Sequence, residues 1–363
     1  MSLPAPTIDA VRYAAIEDRL AALLATNRDT LVLGGEAILT LEALARGAGG
    51  PATRAVNVVS GPYGAMMGHW LGAAGGDVRT VRAADGHAVD PATLRTALEQ
   101  GPADVVCIVH AEAATGVVNP LSELAAAAHQ AGAVVLVDAV ASVAAEPLTI
   151  DTLDLDAVVI GPQKAMSGPA GVASLVAGSR LWQLLERNPH APRDSILSLL
   201  DVRDRWLSNG RRVLPFYPHH LEMEALDQAI NRLAAEGLDA VITRHRAARD
   251  ATRAGLRSLG LPLWVADDDQ AASAVTLLRS PAGVPASALL DRVRIPAPVE
   301  PAPGPLADTA LRVAHTGAHA SLPSVFAAVA ALADALAQLG IDADAQAALE
   351  TAHAAWKDPR QPA

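Results

Sequence analysis

Two short apolar runs between residues 134 and 172 show the clearest pattern in the chain. Val134–Val137 and Ala157–Ile160 are rich in β-branched residues and are bounded by glycine, proline or charged residues. Runs of this kind predict buried parallel strands. Asp138 follows the first run, and Lys164 comes shortly after the second. Because ligands of open α/β sheets bind outside the carboxyl ends of such strands, we expect both side chains to project into one crevice.

Strand-like and helix-like segments alternate along the rest of the chain, which is typical of an α/β protein. An amphipathic helix is predicted over 8–26, and a strand, a glycine turn and a helix from about Ala37 follow it. Tyr63 is expected in the loop after a strand over 54–60. Further predictions are a strand and loop over 107–121, a crossover helix over 121–130, strands over 273–280 and 310–317, and helices over 285–293 and 321–340. We therefore expect an N-terminal helical arm, a large domain and a smaller C-terminal α/β domain, with bounds of 1–27, 28–239 and 240–363.

Composition and charge exclude several classes of function. The 363 residues are 51% hydrophobic with a net charge of −11, whereas a nucleic-acid-binding protein needs a basic face. The sole cysteine, Cys107, excludes a disulfide framework and fits a reducing cytoplasm. The eleven histidines are scattered, so no metal site is expected. The opening residues lack a signal-peptide pattern and no apolar stretch is long enough to cross a bilayer, so we expect a cytoplasmic protein without a membrane partner.

A lysine and an aspartate in one apolar crevice suit a particular chemistry. Burial lowers the pKa of a lysine, and its free amine can form a Schiff base with an aldehyde. A buried carboxylate needs a cationic partner, and the protonated ring nitrogen of pyridoxal phosphate (PLP) is one. From Lys164 and Asp138 alone, an ion pair between two strand ends is the commoner explanation. The residues around the pair decide against it.

Two motifs flank the pair, DAVAS (138–142) and GPQKAMSGPAG (161–171), with Lys164 placed 26 positions after Asp138. Together they resemble the core of the class-V, fold-type-I aminotransferases that depend on PLP, in particular the alanine–glyoxylate branch. The resemblance implies a mostly parallel, seven-stranded sheet between helices in a large domain, with a smaller C-terminal α/β domain. It also implies that Lys164 forms the Schiff base and that Asp138 partners the ring nitrogen.

The same resemblance implies further contacts to the cofactor. Val140 would pack under the ring and Tyr63 over it, and Thr115 would hydrogen-bond the phenolic oxygen of the ring or a nearby cofactor atom. Gln163 and Ser142 would lie near the phosphate or the ring substituents.

The turn that ends in Glu36 and Ala37 departs from the family pattern. In relatives it holds the cofactor phosphate, because the free N–H groups and the dipole of a helix N-terminus attract anions. An ionised carboxylate about 5 Å from a phosphate would cost about 3 kcal/mol per phosphate charge. Glu36 can equally be an ordinary acid that complements the helix dipole. The sequence leaves both interpretations open.

This departure matches a subgroup of the family. SGPYGAMMGHW (60–70) and NPHAPRDSILSLLD (188–201) resemble stretches of the pyridoxamine–pyruvate aminotransferases, which take unphosphorylated pyridoxamine and pyridoxal as substrates. The alternative function is therefore that the vitamin itself is the substrate.

The stretch RVAHTG (312–317) resembles the substrate-binding segment of the family. Arg312 would clamp the substrate carboxylate, which the planar fork of an arginine matches. The subgroup has a second arginine nine residues earlier, where this chain has Pro303. The implied activity is transfer of an amino group between an amino donor and pyruvate or glyoxylate, in a homodimer with a shared active site.

Three rival functions fit the sequence less well. A cysteine desulfurase of this fold needs a nucleophilic cysteine on a loop, whereas Cys107 lies in an apolar strand. A non-catalytic binding protein of this fold would be expected to lack Lys164 or Asp138, and both are present. A nucleotide-binding module would carry a glycine-rich phosphate motif after a strand, and we find none.

Overall fold

The computed structural model describes residues 7–214, 216, 218–294 and 296–356. Its strands are β1 (Asp29–Gly34), β2 (Arg54–Val59), β3 (Asp77–Arg82), β4 (Val105–Val109), β5 (Ala111–Glu112), β6 (Val117–Val118), β7 (Val134–Asp138), β8 (Ala157–Ile160), β9 (Val172–Ala177), β10 (Val275–Arg279), β11 (Val299–Pro301) and β12 (Ala310–Ala314). Its helices are α1 (Ala10–Leu23), α2 (Ala37–Ala48), α3 (Pro62–Ala73), α4 (Pro91–Glu99), α5 (Leu121–Gln130), α6 (Ser179–Arg187), α7 (Leu199–Val202), α8 (His220–Glu236), α9 (Leu238–Ser258), α10 (Ala286–Leu290), α11 (Leu322–Gln338) and α12 (Ala345–Ala355).

Seven strands form the central sheet, in the order β1-β9-β8-β7-β4-β2-β3. The strands from β8 to β3 pair in parallel, and β9 runs antiparallel to both of its neighbours, β1 and β8. Every residue of β4, β7, β8 and β9 is buried, because helices cover both faces of such a sheet. The predicted mostly parallel, seven-stranded sheet is confirmed. Six strands end at one edge, so the residues that follow them converge there.

The helix α1 packs into the core of the central sheet. Tyr13 and Ile16 are buried in the same hydrophobic cluster as the strands. The Tyr13 hydroxyl donates a hydrogen bond to the Val32 carbonyl (2.7 Å), and the Glu17 carboxylate accepts one from the Val32 N–H (2.9 Å). These bonds fix α1 against β1.

A second hydrophobic cluster lies in the C-terminal part of the chain. It joins α9, α11 and α12 to a three-stranded antiparallel sheet with the order β10-β12-β11. The strand β12 carries Arg312 and pairs with β11 on one side. Within the described residues, no helix is long and apolar enough to cross a membrane.

Candidate active site

A cavity of about 200 Å³ lies at the edge of the central sheet where the parallel strands end. Its lining combines apolar side chains with one amine and two carboxylates: Glu36, Ala37, Ile38, Leu41, Tyr63, Ala111, Ala113, Asp138, Val140, Ala141 and Lys164. Because β1, β2, β4, β7 and β8 all end at this edge, residues that are distant in sequence meet here.

Lys164 lies in the turn after β8, where its carbonyl accepts a hydrogen bond from the Ser167 N–H (2.9 Å). Burial, and then the positive charge of Arg312, lowers the pKa of the Lys164 amine, and the Asp138 carboxylate acts in the opposite direction. A lowered pKa increases the fraction of neutral amine, which is the form that reacts with a carbonyl or takes up a proton.

Asp138 ends β7, the strand next to β8, and is buried. One carboxylate oxygen accepts a hydrogen bond from the Val140 N–H (2.9 Å). Burial raises the pKa of Asp138 to about 6, against the effects of that bond and of Lys164. The present neighbours therefore do not fully compensate the buried charge, and a cation in the cavity would stabilise it. The predicted meeting of Asp138 and Lys164 in one crevice agrees with this lining.

Tyr63 lines the cavity from the first turn of α3. The prediction that Tyr63 lies in a loop is wrong, because α3 begins at Pro62 and a distant acid caps it. The Glu112 carboxylate accepts hydrogen bonds from the N–H groups of Tyr63 (3.1 Å) and Gly64 (3.2 Å). A β-carbon on Gly61 would collide with the Glu112 side chain, so glycine suits the position before this helix.

Glu36 is the N-cap residue of α2. One oxygen of its exposed carboxylate accepts a hydrogen bond from the Ile38 N–H (2.8 Å), and the other accepts one from the Gln163 side-chain amide (2.6 Å). Gly35 makes the turn before it with φ of +112°, a conformation that favours glycine. The N-terminus of α2, where an anion would be attracted, thus already holds a carboxylate of the chain itself.

Four of the ten predicted site residues lie outside the lining of the cavity. The Ser142 hydroxyl donates to the Ala139 carbonyl (3.3 Å), and that of Thr115 donates to the Ser60 carbonyl (3.2 Å). Gln163 binds Glu36, as described above. The fourth, Arg312, makes two hydrogen bonds to one oxygen of the Glu300 side chain, with its Nε at 2.9 Å and a terminal nitrogen at 2.5 Å.

The cavity also has lining residues that the sequence analysis did not single out. Ala111 and Ala113 follow β4, and Ala141 follows Asp138 and Val140. Their small side chains leave room between the larger groups. Alanines placed directly after predicted parallel strands were the available signal, but alanine is too common in this chain to mark a site by itself.

Cys107 lies inside β4 and is buried. Burial raises the pKa of its thiol to about 12. The reactive thiolate is therefore not formed at neutral pH, which agrees with the argument against a desulfurase.

A sheet of this topology, with a half-buried lysine and a buried aspartate after neighbouring strands, is typical of the fold-type-I class of PLP-dependent enzymes. Pyridoxamine–pyruvate aminotransferase from Mesorhizobium loti has a similar structure, with a TM-score of 0.90, 29% identity, and coverage of 95% of this chain and 88% of that chain. Alanine–glyoxylate aminotransferase from a Nostoc species matches with a TM-score of 0.84 and 25% identity, over 92% of this chain and 90% of that chain.

Sequence comparison narrows the class to a family. The pattern of the family described as aminotransferase class-V matches residues 65–279. A pyridoxamine–pyruvate transaminase of Mesorhizobium japonicum is 30% identical over 331 residues, which cover 90% of this chain and 84% of that protein. The chain belongs to the class-V aminotransferase family, and it is a PLP-dependent aminotransferase. The family resemblance derived from the two motifs is confirmed.

Proposed function

We propose that this enzyme transfers an amino group between an amino donor and a small 2-oxo acid, pyruvate or glyoxylate, with Lys164 as the catalytic amine. The observation that carries the proposal is the joint position of Lys164 and Asp138 in one largely apolar cavity. The pyruvate- and glyoxylate-using relatives support the choice of acceptor.

Lys164 and Asp138 have complementary tasks in this proposal. When bound, the pyridine ring of the cofactor supplies the electron sink that lets a proton leave the amino-bearing carbon. The Nζ atom of Lys164, with its lowered pKa, takes up that proton. The Asp138 carboxylate holds a proton on the ring nitrogen, and the counter-charge that its burial demands would be that nitrogen.

The other predicted residues fit around this pair. Tyr63 and Val140 line the cavity and would hold the two faces of the ring. Neither Ser142 nor Thr115 lines the cavity. Their hydroxyls donate to the carbonyls of Ala139 and Ser60, so they would affect the ring only through the position of that backbone. Arg312 would bind the carboxylate of the 2-oxo acid.

A second candidate function concerns the phosphate, and the contact of Glu36 favours it. The Ile38 N–H, which a phosphate at this turn would use, is occupied by the Glu36 carboxylate. Residues that would hold the ring line the cavity, whereas the turn presents the Glu36 carboxylate where a phosphate would bind. In this function unphosphorylated pyridoxamine is the amino donor and pyruvate the acceptor, as the name of the relative from Mesorhizobium japonicum states for that protein.

Absorbance titrations test both candidates. Purified protein is titrated separately with PLP and with pyridoxal, and the imine band is followed. Saturation by PLP at low concentration supports the first candidate, and a band with pyridoxal alone supports the second. Lys164→Ala must lose the band and the transamination of pyruvate and glyoxylate; full activity in this variant would contradict both.

We further propose a cytoplasmic homodimer with the active site near the subunit interface. A second cavity, of about 450 Å³, adjoins the start of α2, and its lining includes Leu39 and Ile196, which is 87% exposed. Exposed apolar side chains around a concave surface are typical of an interface. Ile38, beside Leu39, lines the active-site cavity, so a partner seated there would border the active site. Ultracentrifugation of the wild type and of Ile196→Glu tests the dimer.

The single free thiol, Cys107, supports the cytoplasmic location.

A further inference from the structure

Arg312 is paired with a carboxylate of its own chain. The strands β11 and β12 are antiparallel, and their register places Glu300 directly opposite Arg312. Both hydrogen bonds of the guanidinium go to one Glu300 oxygen, and the two side chains are 26% and 48% exposed for Arg312 and Glu300. Residues directly opposite in such a pair lie close enough to interact without further support, so this pairing is set by the register of the sheet.

The pair lies close to the catalytic cavity. The charge of Arg312 is, after burial, the strongest influence that lowers the pKa of Lys164. It also counteracts burial and Glu112 at Tyr63, whose pKa those two raise. The chain just after β12 also adjoins the Lys164 turn, because a β-carbon on Gly317 would lie 3.6 Å from the Lys164 carbonyl oxygen. Arg312 therefore lies on a strand that leads to the Lys164 turn, and its charge acts on the Lys164 amine.

The Glu300 carboxylate changes what Arg312 can attract. Free, the guanidinium would present one full positive charge to an incoming anion. Bound to Glu300, the pair is neutral, and the charges that most strongly influence Lys164 besides Arg312 are the carboxylates Asp138, Glu36 and Glu112. A dianionic acceptor would therefore meet little attraction to offset its desolvation.

We propose that Glu300 is a specificity-determining residue that holds Arg312 in a neutral pair. A monocarboxylic 2-oxo acid binds by displacing the Glu300 carboxylate from Arg312, and dicarboxylic 2-oxo acids are excluded. This inference rests on the proposed acceptor class. Glu300 sets the affinity for the acceptor carboxylate and leaves the chemistry at Lys164 unchanged. Substitution of Glu300 should therefore change KM rather than kcat.

The test compares Glu300→Gln with the wild type. Pyruvate, 2-oxoglutarate and methyl pyruvate, which has no carboxylate, serve as acceptors. Glu300→Gln should lower KM for pyruvate roughly fivefold, a change that corresponds to the free energy of one partly exposed ion pair. The value of kcat should stay unchanged. KM for 2-oxoglutarate should fall further, because its second charge is no longer repelled, and KM for methyl pyruvate should stay the same. Calorimetric titration with propionate, an unreactive monocarboxylate, should show tighter binding by a similar factor.

Glu350→Gln is the matched control. Glu350 is exposed on α12 and bonds Gln346, so its substitution removes one negative charge without touching Arg312. It should leave all constants unchanged. An unchanged or raised KM for pyruvate in Glu300→Gln, with propionate binding no tighter, would show that Glu300 only supports Arg312 and would overturn the inference. If the wild type uses neither pyruvate nor glyoxylate, the proposed function itself fails, which is a distinguishable result.

Discussion

Two helices begin at the cavity, and a carboxylate lies at the N-terminus of each. At α2 the acid is local: Glu36 is the N-cap residue, is exposed, and accepts one backbone hydrogen bond. At α3 the acid comes from β5: Glu112 is fully buried and accepts bonds from Tyr63, Gly64 and Ala114. Both satisfy the same need, because the first N–H groups of a helix lack partners within it.

The acid at α2 bears on which ligand binds at that terminus, whereas the acid at α3 bears on the position of the helix itself. An exposed local cap such as Glu36 can be removed at small cost, and its site is then open to a ligand anion. A buried acid from another element, such as Glu112, fixes the position of α3 and with it the Tyr63 side chain. The two carboxylates should therefore respond differently to the same substitution.

The largest effect is expected for stability in Glu112→Ala. Its removal leaves three N–H groups without this acceptor, two of them buried, and we expect the free energy of unfolding to fall by about 3 kcal/mol or more. Glu36→Ala, the matched change at the exposed terminus, should cost about 1 kcal/mol at most. Chemical denaturation of both variants measures this. Equal losses would contradict the contrast between the two termini.

The next effect is a pH dependence of stability. Burial raises the pKa of Glu112 to about 7 from its ordinary value of 4.5. A raised pKa in the folded state means that the stabilisation is complete below pH 4.5 and is lost as the pH rises towards 7. One pKa unit corresponds to about 1.4 kcal/mol, so Glu112→Gln should remove a decline of up to about 3 kcal/mol over this window.

Glu17 provides the control for this pH effect. Burial raises the pKa of Glu17 also to about 7, but this residue belongs to α1, where its carboxylate accepts hydrogen bonds from the Val32 N–H and the Trp206 indole. Glu17→Gln should flatten the pH dependence of stability in the same way and leave the absorbance of bound pyridoxal unchanged. Glu112→Gln should flatten the pH dependence and also change that absorbance. An absorbance change in both variants would show that the effect on the cavity is not specific to Glu112.

The sequence predicted the meeting of Lys164 and Asp138 better than it predicted the surroundings of the cavity. Lys164 and Asp138 follow apolar runs whose strand character is local, and the parallel sheet then brings them together. Tyr63 was misplaced because the cap of α3 comes from Glu112, 49 residues away in sequence, which no local pattern records. The pairing of Glu300 with Arg312 was not predicted either, because β11 has only three residues, one of them a proline, and shows no strand pattern in the sequence.

The C-terminal part shows a similar limit. The helix α12 was not predicted, although Asp344 caps it and its sequence is rich in alanine. An alanine-rich stretch has helix propensity but little amphipathic contrast, and packing against α9 decides its structure. The division into domains near residue 240 stays a prediction; residues 1–6 and 357–363 of its outer parts lie outside the described residues.

A smaller effect is expected when the local cap is replaced. Glu36→Ser keeps an N-cap oxygen and removes the charge, so PLP should bind roughly tenfold more tightly, and pyridoxal should bind about as before. The screening of an exposed carboxylate by solvent keeps the change below the full repulsion between fixed charges. Absorbance titration measures the two dissociation constants. Glu36→Gln, which removes charge but not size, separates the electrostatic from the steric effect, and equal changes for both ligands would contradict selection by Glu36.

The smallest effect belongs to Gln163, which donates to the second oxygen of Glu36. Gln163→Ala frees that oxygen while the bond to Ile38 remains, so the carboxylate can turn further towards solvent. We expect PLP affinity to rise by roughly threefold, in the direction of Glu36→Ser but less, as one hydrogen bond to an exposed acid is worth little. Because Gln163 acts through Glu36, adding Gln163→Ala to Glu36→Ser should change nothing more, and the double-mutant cycle measures this coupling. If the double variant instead loses PLP affinity, Gln163 contacts the ligand directly, and the α2 terminus is then a shared site rather than one governed by its cap.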